Sequence, residues 1–96
     1  MIELVVVLTV KPECIAETEQ LLTPLVEASR KDAGNVFYNC NTVANRNGTF
    51  VFREAWQDQA ALDKHMEQKH LIDFLDKIKD LAIGDLTSYP MGKPLA

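Results

Sequence analysis

The chain has 96 residues and a mass of 10.8 kDa, so we expect one domain over residues 1–96 and exclude a two-domain organisation. Its composition is 47% hydrophobic and 25% charged, which is too apolar for a disordered chain. The net charge is −4 and the basic residues are scattered, which argues against a nucleic-acid partner. A chain this short buries a modest core alone, so a second subunit is a reasonable expectation.

The sequence gives little indication of a membrane span, a signal peptide or a disulfide. The longest apolar run, residues 4–8, is too short to span a bilayer, and the first residues lack the basic region of a signal peptide. We therefore expect a cytoplasmic protein without a membrane partner. Cys14 and Cys40 are isolated in the sequence, and we expect both to be thiols.

The first two predicted elements are a strand and a helix. Residues 2–10 are apolar on both faces, which is typical of a buried central strand. Pro12 suits the first turn of a helix, and apolar residues at helical spacing continue that helix to near Gly34.

A β-hairpin is predicted next. Residues 35–44 and 49–56 are rich in β-branched and aromatic residues, and the Asn-Gly step in residues 45–48 is a strong turn signal. A turn of two residues (47–48) or four (45–48) places odd positions of the first strand opposite even positions of the second. One face then carries Phe37, Asn39, Asn41, Phe50, Phe52, Glu54 and Trp56. A loop of three or five residues would break this grouping.

The last predicted elements are a second helical stretch and a short strand. Asp58 is a good N-cap, apolar residues at helical spacing follow, and Gly84 ends the stretch. Residues 85–89 form the strand, and the tail after about residue 90 can cross to a partner subunit.

The element order predicts an α+β fold of the ferredoxin-like, split βαβ type (β-α-β-β-α-β) with an antiparallel sheet. Its two helices cover one face of the sheet. The first strand is apolar on both faces, so the sheet face without helices must also be buried. A second copy of the chain is the simplest partner for that face, and we therefore expect a homodimer.

The predicted hairpin face has two interpretations. Four aromatic residues beside two amides and a carboxylate are typical of a pocket for a flat, small molecule. A sheet core with polar rims explains the same residues. Glu54 could orient a histidine in such a pocket, or it could be a solvated charge at a strand end.

The two histidines are not expected to form a metal site. His65 and His70 are five residues apart, about 140° around a regular helix, so they do not converge as an i, i+4 pair would. A histidine on a helix is more often a hydrogen-bonded or surface residue than a catalyst. We therefore expect no metal site. The sequence also has no Gly-x-Gly-x-x-Gly motif and no phosphate loop, which is consistent with a protein that uses no cofactor.

One run of residues resembles the antibiotic biosynthesis monooxygenase (ABM) family. It consists of Glu54-x-Trp56-x-Asp58, then Ala61-Leu62-x-x-His65, then His70-x-x-x-Phe74. The resemblance implies a ferredoxin-like fold whose subunits pair sheet to sheet as a dimeric α/β barrel. Members include quinol and anthrone monooxygenases that use O₂ without metal, flavin or haem, and short quinol monooxygenase-like members match best in length.

The resemblance also implies roles for individual residues. His65 would be the general base, and Asn39 and Asn41 would hydrogen-bond the oxygen anion of the substrate. The residues implied to bind the substrate are Phe37, Phe52, Glu54, Trp56, His70 and Phe74. The substrate would be a small aromatic quinol or anthrone, oxidised by O₂.

Three alternatives to this function are considered, and the first, haem degradation, is disfavoured. Haem-degrading relatives generally place an Asn on the first strand and a Trp and a His on the second helix, whereas this first strand has no Asn, and His65 and Leu75 stand at the positions of the Trp and the His. An enzyme acting on autoinducer-2 phosphate would need basic residues that bind the phosphate, and Arg46 and Arg53 do not obviously form such a site. A dimer that binds a small ligand without turning it over fits the sequence as well.

Overall fold

The computed structural model describes residues 1–96. The elements are β1 (Ile2–Thr9), α1 (Ile15–Ser29), β2 (Asn35–Val43), β3 (Arg46–Trp56), α2 (Gln59–Met66), α3 (Lys69–Ile78) and β4 (Thr87–Pro90). A 3-10 turn, Pro12–Cys14, leads into α1. The strands form one antiparallel sheet in the order β2-β3-β1-β4, which confirms the predicted ferredoxin-like α+β fold. None of the helices combines the length and the apolar composition that a membrane span requires.

The second helical stretch is divided into two helices. Asp58 caps α2 as predicted, because its side chain accepts a hydrogen bond from the backbone nitrogen of Ala61 at 2.9 Å. Between α2 and α3, Gln68 has extended backbone angles (φ −72°, ψ 140°), which no α-helix can contain. The chain therefore changes direction after Glu67, and α3 does not continue the helical rotation of α2.

The hairpin differs from its prediction. Its turn is Ala44–Asn45, since Val43 lies opposite Arg46, and β3 therefore begins earlier than predicted. Gly48 is not in the turn but inside β3, with φ +86°, where an added Cβ would lie 2.9 Å from the backbone oxygen of Val10. Residues 47–49 are left without partners in β2 before regular pairing resumes.

This insertion of three residues changes which side chains share a face. Beyond it, even positions of β2 lie opposite even positions of β3: Tyr38 opposite Glu54, Cys40 opposite Phe52 and Thr42 opposite Phe50. Directly opposed residues point to the same side of an antiparallel sheet.

The predicted grouping is therefore wrong for Phe37, Asn39 and Asn41. These residues lie opposite Ala55, Arg53 and Val51, on the sheet face away from Glu54. The error has one cause, because an insertion with an odd number of residues exchanges the two faces of the whole strand.

The hydrophobic core lies between the sheet and the helices. Its most buried members include Leu8, Val10, Leu25, Phe50, Phe52, Trp56, Phe74 and Ile78. The other face of the sheet, called the open face below, has no helix against it. It carries Val5, Val7 and Val51, which are half-buried, and Tyr89, which is 52% exposed.

Candidate functional site

A cavity of about 280 Å³ lies on the helix-covered side of the sheet. Ten of its thirteen lining residues are hydrophobic. The sheet contributes Val6, Tyr38, Phe52 and Glu54, and the helices contribute His65 and Phe74, among others. A mostly apolar cavity with a few convergent polar groups is the usual form of a small-molecule site.

His65 is held in one orientation at the cavity wall. Its side chain is 2% exposed, and its Nδ1 lies 2.7 Å from Oδ2 of Asp32. A carboxylate oxygen only accepts hydrogen bonds, so Nδ1 is the donor in this contact. The ring of Trp56 packs against the imidazole, with centroids 4.5 Å apart. Nε2 has no hydrogen-bond partner in the protein, and it carries the lone pair whenever the ring is neutral.

Asp32 joins both histidines, although it was not among the residues singled out from the sequence. It lies in the loop after α1, its side chain is 10% exposed, and its Oδ2 also lies 2.8 Å from Nε2 of His70. The expectation that the histidines do not converge is wrong, because it assumed a continuous helix and the chain bends between α2 and α3. No local sequence signal connects Asp32 with His65, 33 positions away.

Glu54 is a buried carboxyl group, 5% exposed. Its Oε1 accepts a hydrogen bond from Nε1 of Trp56 at 2.9 Å. Burial raises the pKa of Glu54, and the Trp56 hydrogen bond and the nearby His65 oppose that rise. Glu54 lines the cavity, but the hydrogen bond that orients His65 comes from Asp32.

Tyr38 is the second site residue that the sequence did not reveal. It is 2% exposed, it lines the cavity, and its ring packs edge-on against Phe52 and at 5.5 Å from the His65 ring. Burial, followed by the charge of Glu54, raises the pKa of Tyr38 far above its ordinary value. Its hydroxyl therefore stays neutral and can donate or accept a hydrogen bond. Only the correct strand register could have identified it.

The structure brings some of the predicted site residues together. Phe52, Glu54, His65 and Phe74 line the cavity. Trp56 does not line it but packs behind His65, with no exposed surface.

The remaining predicted residues lie elsewhere. His70 contacts Asp32 outside the cavity. Asn39, on the open face with Phe37, accepts a hydrogen bond from Arg30 at 3.0 Å. Asn41 lines a separate groove of about 480 Å³ between α1 and β2, where six of ten lining residues are polar.

The fold and the cavity together define a small ferredoxin-like domain with a mostly apolar cavity between the sheet and the helices. A protein of Bacillus subtilis named "Putative monooxygenase YcnE" is 37% identical over 86 residues, which is 90% of each chain. A solved antibiotic biosynthesis monooxygenase superposes with a TM-score of 0.93 at 30% identity, over 98% of this chain and 99% of that one. PA3566 of Pseudomonas aeruginosa gives a TM-score of 0.89 at 25% identity, over 97% and 93% of the two chains.

The family model described as antibiotic biosynthesis monooxygenase matches residues 1–77. The chain therefore belongs to the antibiotic biosynthesis monooxygenase family, which confirms the resemblance seen in the sequence. Family and relatives support a monooxygenase-like function with a small-molecule substrate.

Proposed function

We propose that the protein is a cofactor-independent monooxygenase that oxidises a small aromatic quinol with O₂. The observation that carries this proposal is the state of His65. Nδ1 donates a hydrogen bond to Asp32, so the lone pair of the neutral ring is on Nε2, and His65 lines an apolar cavity. An imidazole in this arrangement is a general base.

The first step is removal of a proton. Nε2 of His65 takes a hydroxyl proton from the quinol, and the resulting imidazolium is stabilised by the carboxylate of Asp32. The quinol anion gives up electrons to O₂ readily. One oxygen atom enters the ring and the other leaves as water, so that a quinol and O₂ give a hydroxyquinone and water.

The cavity walls favour a flat, uncharged substrate. Phe52 and Phe74 supply aromatic surface, with ring centroids 6.3 Å apart. Besides His65, the lining residues with polar groups are Tyr38, Glu54 and Ser88. The volume of about 280 Å³ lies near the lower end of the range for small-molecule sites, roughly 300–1,000 Å³. It favours a one- or two-ring quinol over a larger anthrone.

The same lining argues against a phosphorylated substrate. No Lys or Arg lines the cavity, and Glu54 would repel a phosphate if it were ionised. The autoinducer-2 phosphate alternative therefore has no support in this cavity.

We also propose that the active form is a homodimer that pairs open face to open face. Val7 and Val51 are opposed neighbours at the centre of this face and are half-buried in the isolated chain. A second copy would remove this apolar surface from water.

The test is oxygen uptake by metal-stripped protein with a panel of quinols and anthrones, followed by mass spectrometry of the product under ¹⁸O₂. We expect uptake above the spontaneous rate, one labelled oxygen in the product, and a loss of about 10²-fold or more in His65→Ala. Saturable quinol binding without oxygen uptake would contradict the proposal and support a ligand-binding dimer.

A further inference from the structure

We infer that Asp32, His65 and His70 form a binding site for a divalent transition-metal ion such as Zn²⁺, and that the bound ion inhibits the protein. His65 lines the cavity and also belongs to this cluster, whereas Asp32 and His70 do not line the cavity. The part concerning inhibition depends on the proposed role of His65 as a base. The part concerning metal binding does not.

The donor set suits such an ion. One carboxylate oxygen and two imidazole nitrogens, from a loop and two helices, have candidate ligand atoms that all lie within 4.8 Å of one another. Imidazole and carboxylate are zinc ligands, and two histidines with one carboxylate are a recurrent set in zinc and iron sites. The three side chains are 2%, 10% and 25% exposed, so the donors are largely shielded from water.

The spacing is close to what the ion requires. Oδ2 of Asp32 lies 2.7 Å from Nδ1 of His65 and 2.8 Å from Nε2 of His70. Bonds of about 2.0–2.2 Å place neighbouring ligands of a tetrahedral zinc roughly 3.3 Å apart, so the cluster must open by about half an ångström at each contact. Asp32 lies in a loop and His70 is partly exposed, and both side chains can move by that amount.

The charge of the cluster favours a cation. An ionised Asp32 with two neutral imidazoles carries one negative charge, and the only ion-pair partners of Asp32 are the two histidines. The partly exposed His70 provides an entry from solvent, where water can complete the coordination.

Metal binding would reverse the hydrogen-bonding role of His65. In the metal-free protein Nδ1 carries the proton and Nε2 has the lone pair. An ion on Nδ1 takes the place of that proton, so the proton of the neutral ring must lie on Nε2. Nε2, the nitrogen that is proposed to act as the base, then donates a hydrogen bond and cannot accept a proton from the substrate.

Calorimetric titration of untagged, metal-free protein with ZnCl₂, together with Co²⁺ absorption spectra, tests the metal site. We expect one ion per chain, and a dissociation constant at least about tenfold weaker in Asp32→Asn and His70→Ala. Asp63→Asn, which removes an exposed carboxylate of α2 that bonds Gln59, is the matched control and should bind like the wild type. Thermal melts without metal establish that each variant is folded.

Several results would overturn the site. They are equal zinc affinity in all four proteins, absence of saturable binding in the wild type, or a thiolate-to-cobalt charge-transfer band, which would assign the ion to Cys14 or Cys40. For folded variants, a weaker affinity in Asp32→Asn alone would also contradict it, because the site requires His70 as a ligand.

The inhibitory effect has its own readout. Long-range ¹⁵N spectra of the histidine side chains should show the His65 proton move from Nδ1 to Nε2 when Zn²⁺ is added, and oxygen uptake should fall with the same midpoint. An unmoved proton, or uptake that persists at zinc saturation, overturns the inhibition. Zinc binding in a protein that oxidises no quinol would leave the metal site intact and contradict the proposed function instead.

Discussion

The two faces of the sheet are built from alternate residues of the same strands, yet they differ in chemistry. The helix-covered face places Tyr38, Glu54 and Phe52 around a cavity that His65 completes. The open face places Asn39 opposite Arg53, with valines at its centre. One insertion in β3 decides which face each side chain joins, so the strand register determines the composition of the site.

The largest expected effect is a difference in activity between two separate variants, one beside the cavity of the helix-covered face and one away from it. Asp32→Asn keeps the size of the residue that orients His65 but removes the charge that stabilises its imidazolium, so we expect kcat to fall roughly ten- to a hundredfold with KM nearly unchanged. Asn41→Ala removes an exposed amide that does not line the cavity, and we expect activity within about twofold of the wild type.

Steady-state oxygen uptake by both variants measures this difference between the faces. A large loss in Asn41→Ala with little change in Asp32→Asn would restore the register predicted from the sequence and contradict the observed one.

Val51→Asp tests whether two copies of the chain pair through the open face. A charge in the middle of an apolar subunit contact is left without a partner, so we expect the dimer to dissociate and the mass in solution to halve. Light scattering coupled to gel filtration measures that mass. Ile72→Asp, at a position on α3 that is 52% exposed, is the control and should leave the mass unchanged. A monomeric wild type, or a Val51→Asp dimer, would contradict face-to-face pairing.

The insertion that separates the two faces depends on Gly48. Alanine there would adopt a left-handed φ of +86° and bring its Cβ to 2.9 Å from the Val10 oxygen, so we expect Gly48→Ala to lower the free energy of unfolding by about 1–3 kcal/mol. Urea denaturation measures the change. Gly92→Ala is the control, because nothing lies within 4 Å of the added Cβ there. Equal stability of the two variants would show that the insertion does not need glycine.

The sequence predicted the fold well because the fold depends on patterns with a local cause. Apolar spacing marked the helices, Asp58 marked the start of α2, and β-branched runs marked the strands. His65, Glu54 and Phe74 were found through the family resemblance, and the structure brings them to one cavity.

The rest of the site depends on features that are not local. The Asn-Gly step was taken as the turn, but Gly48 lies in a strand insertion, and a glycine in either place has the same sequence signal. Tyr38 was therefore not included in the predicted face that carries Glu54. Asp32 comes from a loop distant in sequence, and its contact with both histidines depends on the bend between α2 and α3.

The smallest expected effect concerns the buried carboxyl group of the helix-covered face. Burial raises the pKa of Glu54 in the folded chain, so the fold favours the protonated form. The resulting contribution to stability is complete below the ordinary pKa of glutamate and is lost as the pH rises through the raised pKa. Glu54→Gln cannot ionise, and its amide oxygen can still accept the Trp56 hydrogen bond.

We therefore expect Glu54→Gln to melt a few degrees higher than the wild type at about pH 8, and the difference to shrink toward about pH 4. Glu19→Gln, on the exposed surface of α1, removes the same charge without burial and is the control. Thermal melts of the three proteins across this pH range measure the difference. If the melting temperatures of both variants follow that of the wild type across the pH range, protonation of Glu54 is not coupled to folding. The two faces of the sheet would then differ less in their response to pH than the structure indicates.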